Sequence, residues 1–71
     1  MIVKELNLYI RNVRKEKKLT LQDLHNLSGI SVANLSKIEC GQTPTPIVLG
    51  KIVKALDCDI DKVFDLYKKG E

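Results

Sequence analysis

LTLQDLHNLSGISVANLSKIECG, residues 19–41, encodes two short helices joined by one tight turn. Thr20 is the expected N-cap of the first. Its hydroxyl can accept from the backbone N–H of Asp23 while the Asp23 carboxylate reaches back to the N–H of Thr20, which makes a capping box. Leu19 and Leu24 occupy the two positions of a hydrophobic staple. The same grammar follows with Ser31 as the next N-cap and Ile30 stapling onto Leu35. Gly29 lies between the two helices, where a sharp exit needs a positive φ that is cheap only without a Cβ. A Gly-containing turn of about three or four residues between two such helices is the helix-turn-helix pattern.

At about 100° per residue, Leu35 and Ile38 share one stripe of the second helix, while Ala33, Ser36, Lys37 and Cys40 point the other way, with Val32 between the two. The outer face has no large apolar residue and is short-chained except for Lys37. That shape suits a helix entering a groove about 12 Å wide.

The chain here resembles the Cro/C1-type, or XRE-type, helix-turn-helix family of bacterial and phage DNA-binding regulators. The residues that carry the resemblance are Leu19-Thr20, Leu24, Gly29-Ile30-Ser31, Leu35-Ser36-Lys37-Ile38-Glu39, Gly41, Pro44 and Ala55-Leu56, within a span of roughly Ile10 to Phe64. The resemblance implies an all-α, compact five-helix, lambda-repressor-like domain with the helix-turn-helix at about residues 20–40. It also implies a double-stranded DNA partner and no cofactor. Three positions depart from the family pattern. Leu21 stands where the family places a phosphate-touching Gln, with Gln22 next to it; His25 stands where Ala is usual; and the proline after Gly41 comes one residue early.

The 71 residues have room for one domain, 1–71, near the size at which a single hydrophobic core becomes marginal. Hydrophobic residues at 44% and charged residues at 30% describe a folded globular chain, and few aromatics count against a stacking platform for single strands. Residues 1–56 hold nine Lys/Arg against four Asp/Glu, and residues 57–71 hold three against five, so the basic part contains the helix-turn-helix. An electropositive body is what phosphate binding requires, and it is equally what a solvated surface looks like. Charges at Lys4, Glu5 and Arg11 break the apolar N-terminus, so neither an export signal nor a membrane span is expected, and the location expected is cytoplasmic. Cys40 and Cys58 lack paired metal-site spacing and read as structural or incidental thiols, and His25 as a packed or solvated residue rather than a ligand.

Leu6, Ile10 and Val13, flanked by Val3 and Tyr9, predict a first helix from near Lys4 to about Lys17 with a basic outer face of Arg11, Lys15, Lys17 and Lys18. After Gly41, Thr45 is the expected N-cap of a helix with Pro46 at its first position, burying Leu49, Ile52, Val53 and Leu56. Gly50 inside that helix costs about 1 kcal/mol relative to Ala, which suggests close packing there. Asp59 caps a last helix with Ile60, Val63, Phe64 and Tyr67 on one stripe, which either closes the core or stays exposed as a dimer surface. The predicted core includes Ile10, Val13, Leu24, Ile30, Leu35, Ile38, Leu49, Ile52, Leu56 and Phe64.

Val32 and Ala33 have no hydrogen-bonding side chains, so thymine methyl groups are their natural targets in a major groove, and Ser36 can donate or accept with several bases. Lys37 is the one long donor on the outward face, with guanine O6 and N7 as the acceptors it would most usefully reach and a phosphate contact as its other role. Candidates for phosphate contact are Arg11, Gln22, Asn34, Gln42 and Thr43. Glu39 lies about 40° from Leu35, too close to the buried stripe for a free charge, and the resemblance points to Arg14 as its intramolecular partner. The function expected is a sequence-specific transcriptional regulator, a repressor, acting as a homodimer through the C-terminal helix. The alternatives are an antitoxin-like or accessory subunit that binds another protein there, and a helical interaction module that has lost DNA. No catalytic constellation or Gly-rich phosphate loop stands out, so no enzyme is expected.

Overall fold

The computed structural model describes residues 5–69, which form α1 (Glu5–Glu16), α2 (Leu21–Ser28), α3 (Val32–Glu39), α4 (Pro46–Leu56) and α5 (Ile60–Lys69). No strand occurs among the described residues. The expected contribution of Val3 and the helix start near Lys4 lie outside them.

Local chemistry sets the boundaries. Thr20 Oγ1 accepts from Asp23 N at 3.0 Å and Asp23 Oδ2 accepts from Thr20 N at 2.9 Å, closing the capping box of α2. Ser31 and Thr45 cap α3 and α4 by accepting from Asn34 N and Val48 N, and Pro46 opens α4. Asp59 Oδ1 accepts from Asp61 N at 3.0 Å at the start of α5. α2 ends at Gly29, whose φ of +77° lets its N–H donate back to the His25 carbonyl. α1 ends less comfortably, with Lys18 in the left-handed region at φ +58° so that Leu19 N can reach the Arg14 carbonyl.

Leu6, Ile10, Leu24, Ile30, Leu35, Ile38, Leu49, Ile52, Val53, Leu56, Val63 and Leu66 form one buried cluster, with Val13 and Leu19 partly buried against it. α2 packs on α3 and α4, and α1 touches α3, α4 and α5, so α1 is the strut linking the helix-turn-helix to the C-terminal helix.

Two expectations need correction. Phe64 is 43% exposed and Ile60 48%, while Leu66 is buried, so α5 is rotated relative to the predicted stripe. Val63 and Tyr67 belong to both stripes, and packing on α1 selects the one that includes Leu66. Gly50 is exposed and a Cβ there would meet nothing within 4 Å, so close packing does not explain it.

Candidate nucleic-acid interface

The turn that aims α3 is tied by three side-chain bonds. Ser28 Oγ donates to the Leu24 carbonyl at 2.7 Å and accepts from Ile30 N at 3.2 Å. His25 Nδ1 lies 2.8 Å from the Ile30 carbonyl; since a carbonyl only accepts, that nitrogen carries the proton and donates. The imidazole that replaces the family's alanine therefore braces the turn.

The far end of α3 is tied to α1. Arg14 Nε donates to Glu39 Oε2 at 2.7 Å and Nη2 to Oε1 at 2.9 Å, a two-pronged pair, while Nη1 donates to the Leu19 carbonyl. The two side chains are only 12% and 8% exposed. The hydrogen bonds to Glu39 push the Arg14 pKa up, against the opposing effect of burial. Asn7, buried on the same stripe of α1, donates to the Ile38 carbonyl at 2.6 Å and to the Gln42 carbonyl at 3.1 Å. Sequence reasoning missed Asn7. The available signal was a polar residue beside Leu6 on the inner face of an amphipathic helix, at i and i+7 with Arg14.

Between these braces α3 turns Leu35 and Ile38 inward and leaves Ala33, Asn34, Lys37 and Cys40 exposed, with Val32 and Ser36 half-buried. Because Glu39 is buried and paired, the outer face carries Lys37 as its one cation and no acid among the described residues. Ser36, Lys37, Cys40, Gly41 and Gln42 line a shallow depression of about 470 Å³, so the structure brings Gln42 beside two of the base-contact candidates. Thr43 follows, exposed. Arg11 is exposed on α1, within about 60° of both Asn7 and Arg14, the residues that touch the end of α3 and its loop. Gln22 and Asn34 do not line the depression. Gln22 is exposed in the first turn of α2, where its amide reaches Asn26 Oδ1 at 3.4 Å. Leu21, in the place of the family's phosphate-touching Gln, is instead packed against the core. Cys40 and Cys58 are free thiols, and burial pushes the Cys58 pKa up.

The helix-turn-helix family model matches residues 10–63, which is most of the chain. The chain belongs to the Cro/C1-type helix-turn-helix family of DNA-binding regulators. The chain is 36% identical over 63 residues to the HTH-type transcriptional repressor RghR of Bacillus subtilis (strain 168), covering 86% of this chain and 45% of that protein. It is 43% identical over 49 residues to the uncharacterized HTH-type transcriptional regulator RghRB of the same organism, covering 66% of this chain and 35% of that protein. The chain thus spans less than half the length of these helix-turn-helix relatives. The wild-type restriction-modification controller protein C.Esp1396I superimposes with a TM-score of 0.77 at 27% identity, covering 93% of this chain and 87% of that one. A single-residue variant of the same controller gives 0.80 at 26%, covering 94% and 91%.

Proposed function

We propose that this chain is a sequence-specific double-stranded DNA-binding transcriptional repressor that inserts α3 into the major groove. The observation that carries the reading is the braced outer face of α3. It is short-chained apart from Lys37, carries no acid among the described residues, and is held at one end by the His25 and Ser28 bonds and at the other by Arg14–Glu39 and Asn7. Such a face costs little reorganisation on docking. Val32, Ala33, Ser36 and Lys37 are the base-reading set, and Arg11, Gln22, Asn34, Gln42 and Thr43 are the phosphate-holding set. The pairing of Arg14 with Glu39 keeps both charges for structure, and no catalytic step belongs to the reading. The likeness to RghR, named a repressor, supports the direction of regulation.

One recognition helix reads only a few base pairs, so the reading includes a two-fold homodimer, with the exposed Ile60 and Phe64 of α5 as its apolar contact. The same exposure favours, as a second reading, an accessory subunit whose α5 binds a different protein. Dimerisation of the isolated chain through α5 separates them.

Retention of duplex DNA in gels, lost as salt rises, tests DNA binding itself. Lys37→Ala then tests the reading role. The expected result is a loss of about 1 to 3 kcal/mol on the preferred site with relaxed preference at one base pair. A uniform loss on specific and random duplexes, with the salt slope reduced by about one unit, would move Lys37 to the phosphate set.

A further inference from the structure

Asn7 is 1% exposed, and its side-chain nitrogen reaches two main-chain carbonyl oxygens, that of Ile38 at 2.6 Å and that of Gln42 at 3.1 Å. A carbonyl only accepts, so the carboxamide turns its nitrogen to the pair and gives one N–H to each. The two carbonyls stand on either side of Gly41, where the chain leaves α3 at a φ of +121°. Glycine adopts that conformation cheaply and others almost as cheaply, so the backbone at Gly41 does not by itself decide where the next residues go. Asn7 bridges it from a different helix. The main chain of Gln42 is thereby held on both sides, its N–H donating to the Lys37 carbonyl at 3.0 Å and its carbonyl accepting from Asn7. Two residues on, Pro44 is buried. Gln42 and Thr43, both exposed, form a short arch between these anchors, and Gln42 lines the depression with Ser36 and Lys37.

We propose that Asn7 is a positioning residue for DNA binding, which acts through Gln42 by fixing the loop that carries it against the end of α3. This rests on the DNA-binding reading above and on the place of Gln42 in its phosphate-holding set, and it names the residue that puts Gln42 there. The end of α3 has a second tether to α1 in the Arg14–Glu39 pair, so the helix keeps its aim when Asn7 is lost. The loop is tied to α1 by the Asn7 bond to the Gln42 carbonyl, so the loss falls on the loop. A loop left to swing about Gly41 must be ordered when it meets phosphate, and that ordering subtracts from the binding energy. Held by Asn7, it meets phosphate already ordered.

A double-mutant cycle on Asn7 and Gln42 tests this, with the full chain titrated against a duplex selected from a random pool and against a random duplex, and with circular dichroism checking that each variant is folded. Gln42→Ala is expected to raise Kd about tenfold, the worth of one hydrogen bond to a charged oxygen. Asn7→Ala should raise it by a similar factor, although its side chain is too deep to touch DNA. The double variant is expected within about twofold of either single one, where independent roles would multiply to about a hundredfold. Because Gln42 is neutral and phosphate is common to every duplex, Asn7→Ala should weaken both duplexes alike and leave the salt slope unchanged. Asn7→Ser has one short donor that cannot span both carbonyls, and it takes the same place in the cycle if Asn7→Ala does not fold. Val63→Ala, a core truncation on α5, controls for lost stability and should leave Kd within about twofold. The inference is overturned, and DNA binding stands, if the Asn7 variants bind like the parent, if their losses multiply with that of Gln42→Ala, if Gln42→Ala has no effect, or if Val63→Ala weakens binding as much. If the parent chain is not retained by duplex at any salt concentration, the DNA-binding reading falls and takes the inference with it.

Discussion

Glu39 keeps a charge in a nearly dry position because Arg14 meets both of its oxygens and spends a third donor on the Leu19 carbonyl. A pair this enclosed is costly to break from one side, since the survivor is left desolvated without its counter-charge. Arg14→Ala and Glu39→Ala are each expected to cost about 3 kcal/mol in urea unfolding, with the double variant well short of the sum. Additive losses would mean that the two charges act independently. Asp23 offers a pH counterpart. Its carboxyl is held below the ordinary 3.8, first by the backbone hydrogen bond from Thr20 and then by the Thr20 hydroxyl. A lowered folded-state pKa means that the unfolded chain binds the proton more readily, so the capping contribution is present above pH 3.8 and fades as pH falls through the folded value. Asp23→Asn should therefore flatten the stability profile in that acid range and leave its shape near neutrality unchanged. Equal acid dependence in both chains would contradict the cap's titration.

Among the elements, α4 carries an interior Gly50 with open space where a Cβ would be. Gly50→Ala is expected to raise stability by about 0.5 to 1 kcal/mol, read as a shift in the denaturant midpoint, because the helix loses a residue of high unfolded-state entropy and nothing has to move. A loss of stability would mean that the position is crowded after all. The helix ends were legible in the sequence because caps are local: Thr20, Ser31, Thr45 and Asp59 each reach a backbone N–H two or three residues ahead. The face of α5 was not. Ile60-Phe64 and Leu66 both fit a stripe through Val63, and only packing against α1 chooses between them. Asn7 was hidden for a related reason, since its partners are carbonyls of Ile38 and Gln42, far along the chain. Of the candidate interface, the exposure of Ala33, Lys37 and Cys40 was legible from spacing alone, whereas Ser36, expected on the same face, is half-buried and Asn34 is exposed. The closeness of Gln42 to Ser36 and Lys37 depends on how the loop after Gly41 folds back.

Taking the molecule as one body, α1 ties the helix-turn-helix to the C-terminal helix. It clamps α3 through Asn7 and Arg14, and it supports α5, whose apolar flank is left open. The proposed two-fold pair would present two copies of α3, each with its own Lys37 and the loop after Gly41 proposed to hold phosphate. Selection of bound duplexes from a random pool, followed by sequencing, tests this most directly. The expected site is a near-palindrome whose half-sites lie about 34 Å apart, one helical turn, with A·T pairs where Val32 and Ala33 dock and a G·C pair where Lys37 reaches. A bound pool with no enriched sequence, or an enriched site without internal symmetry that is occupied by one chain, would contradict it.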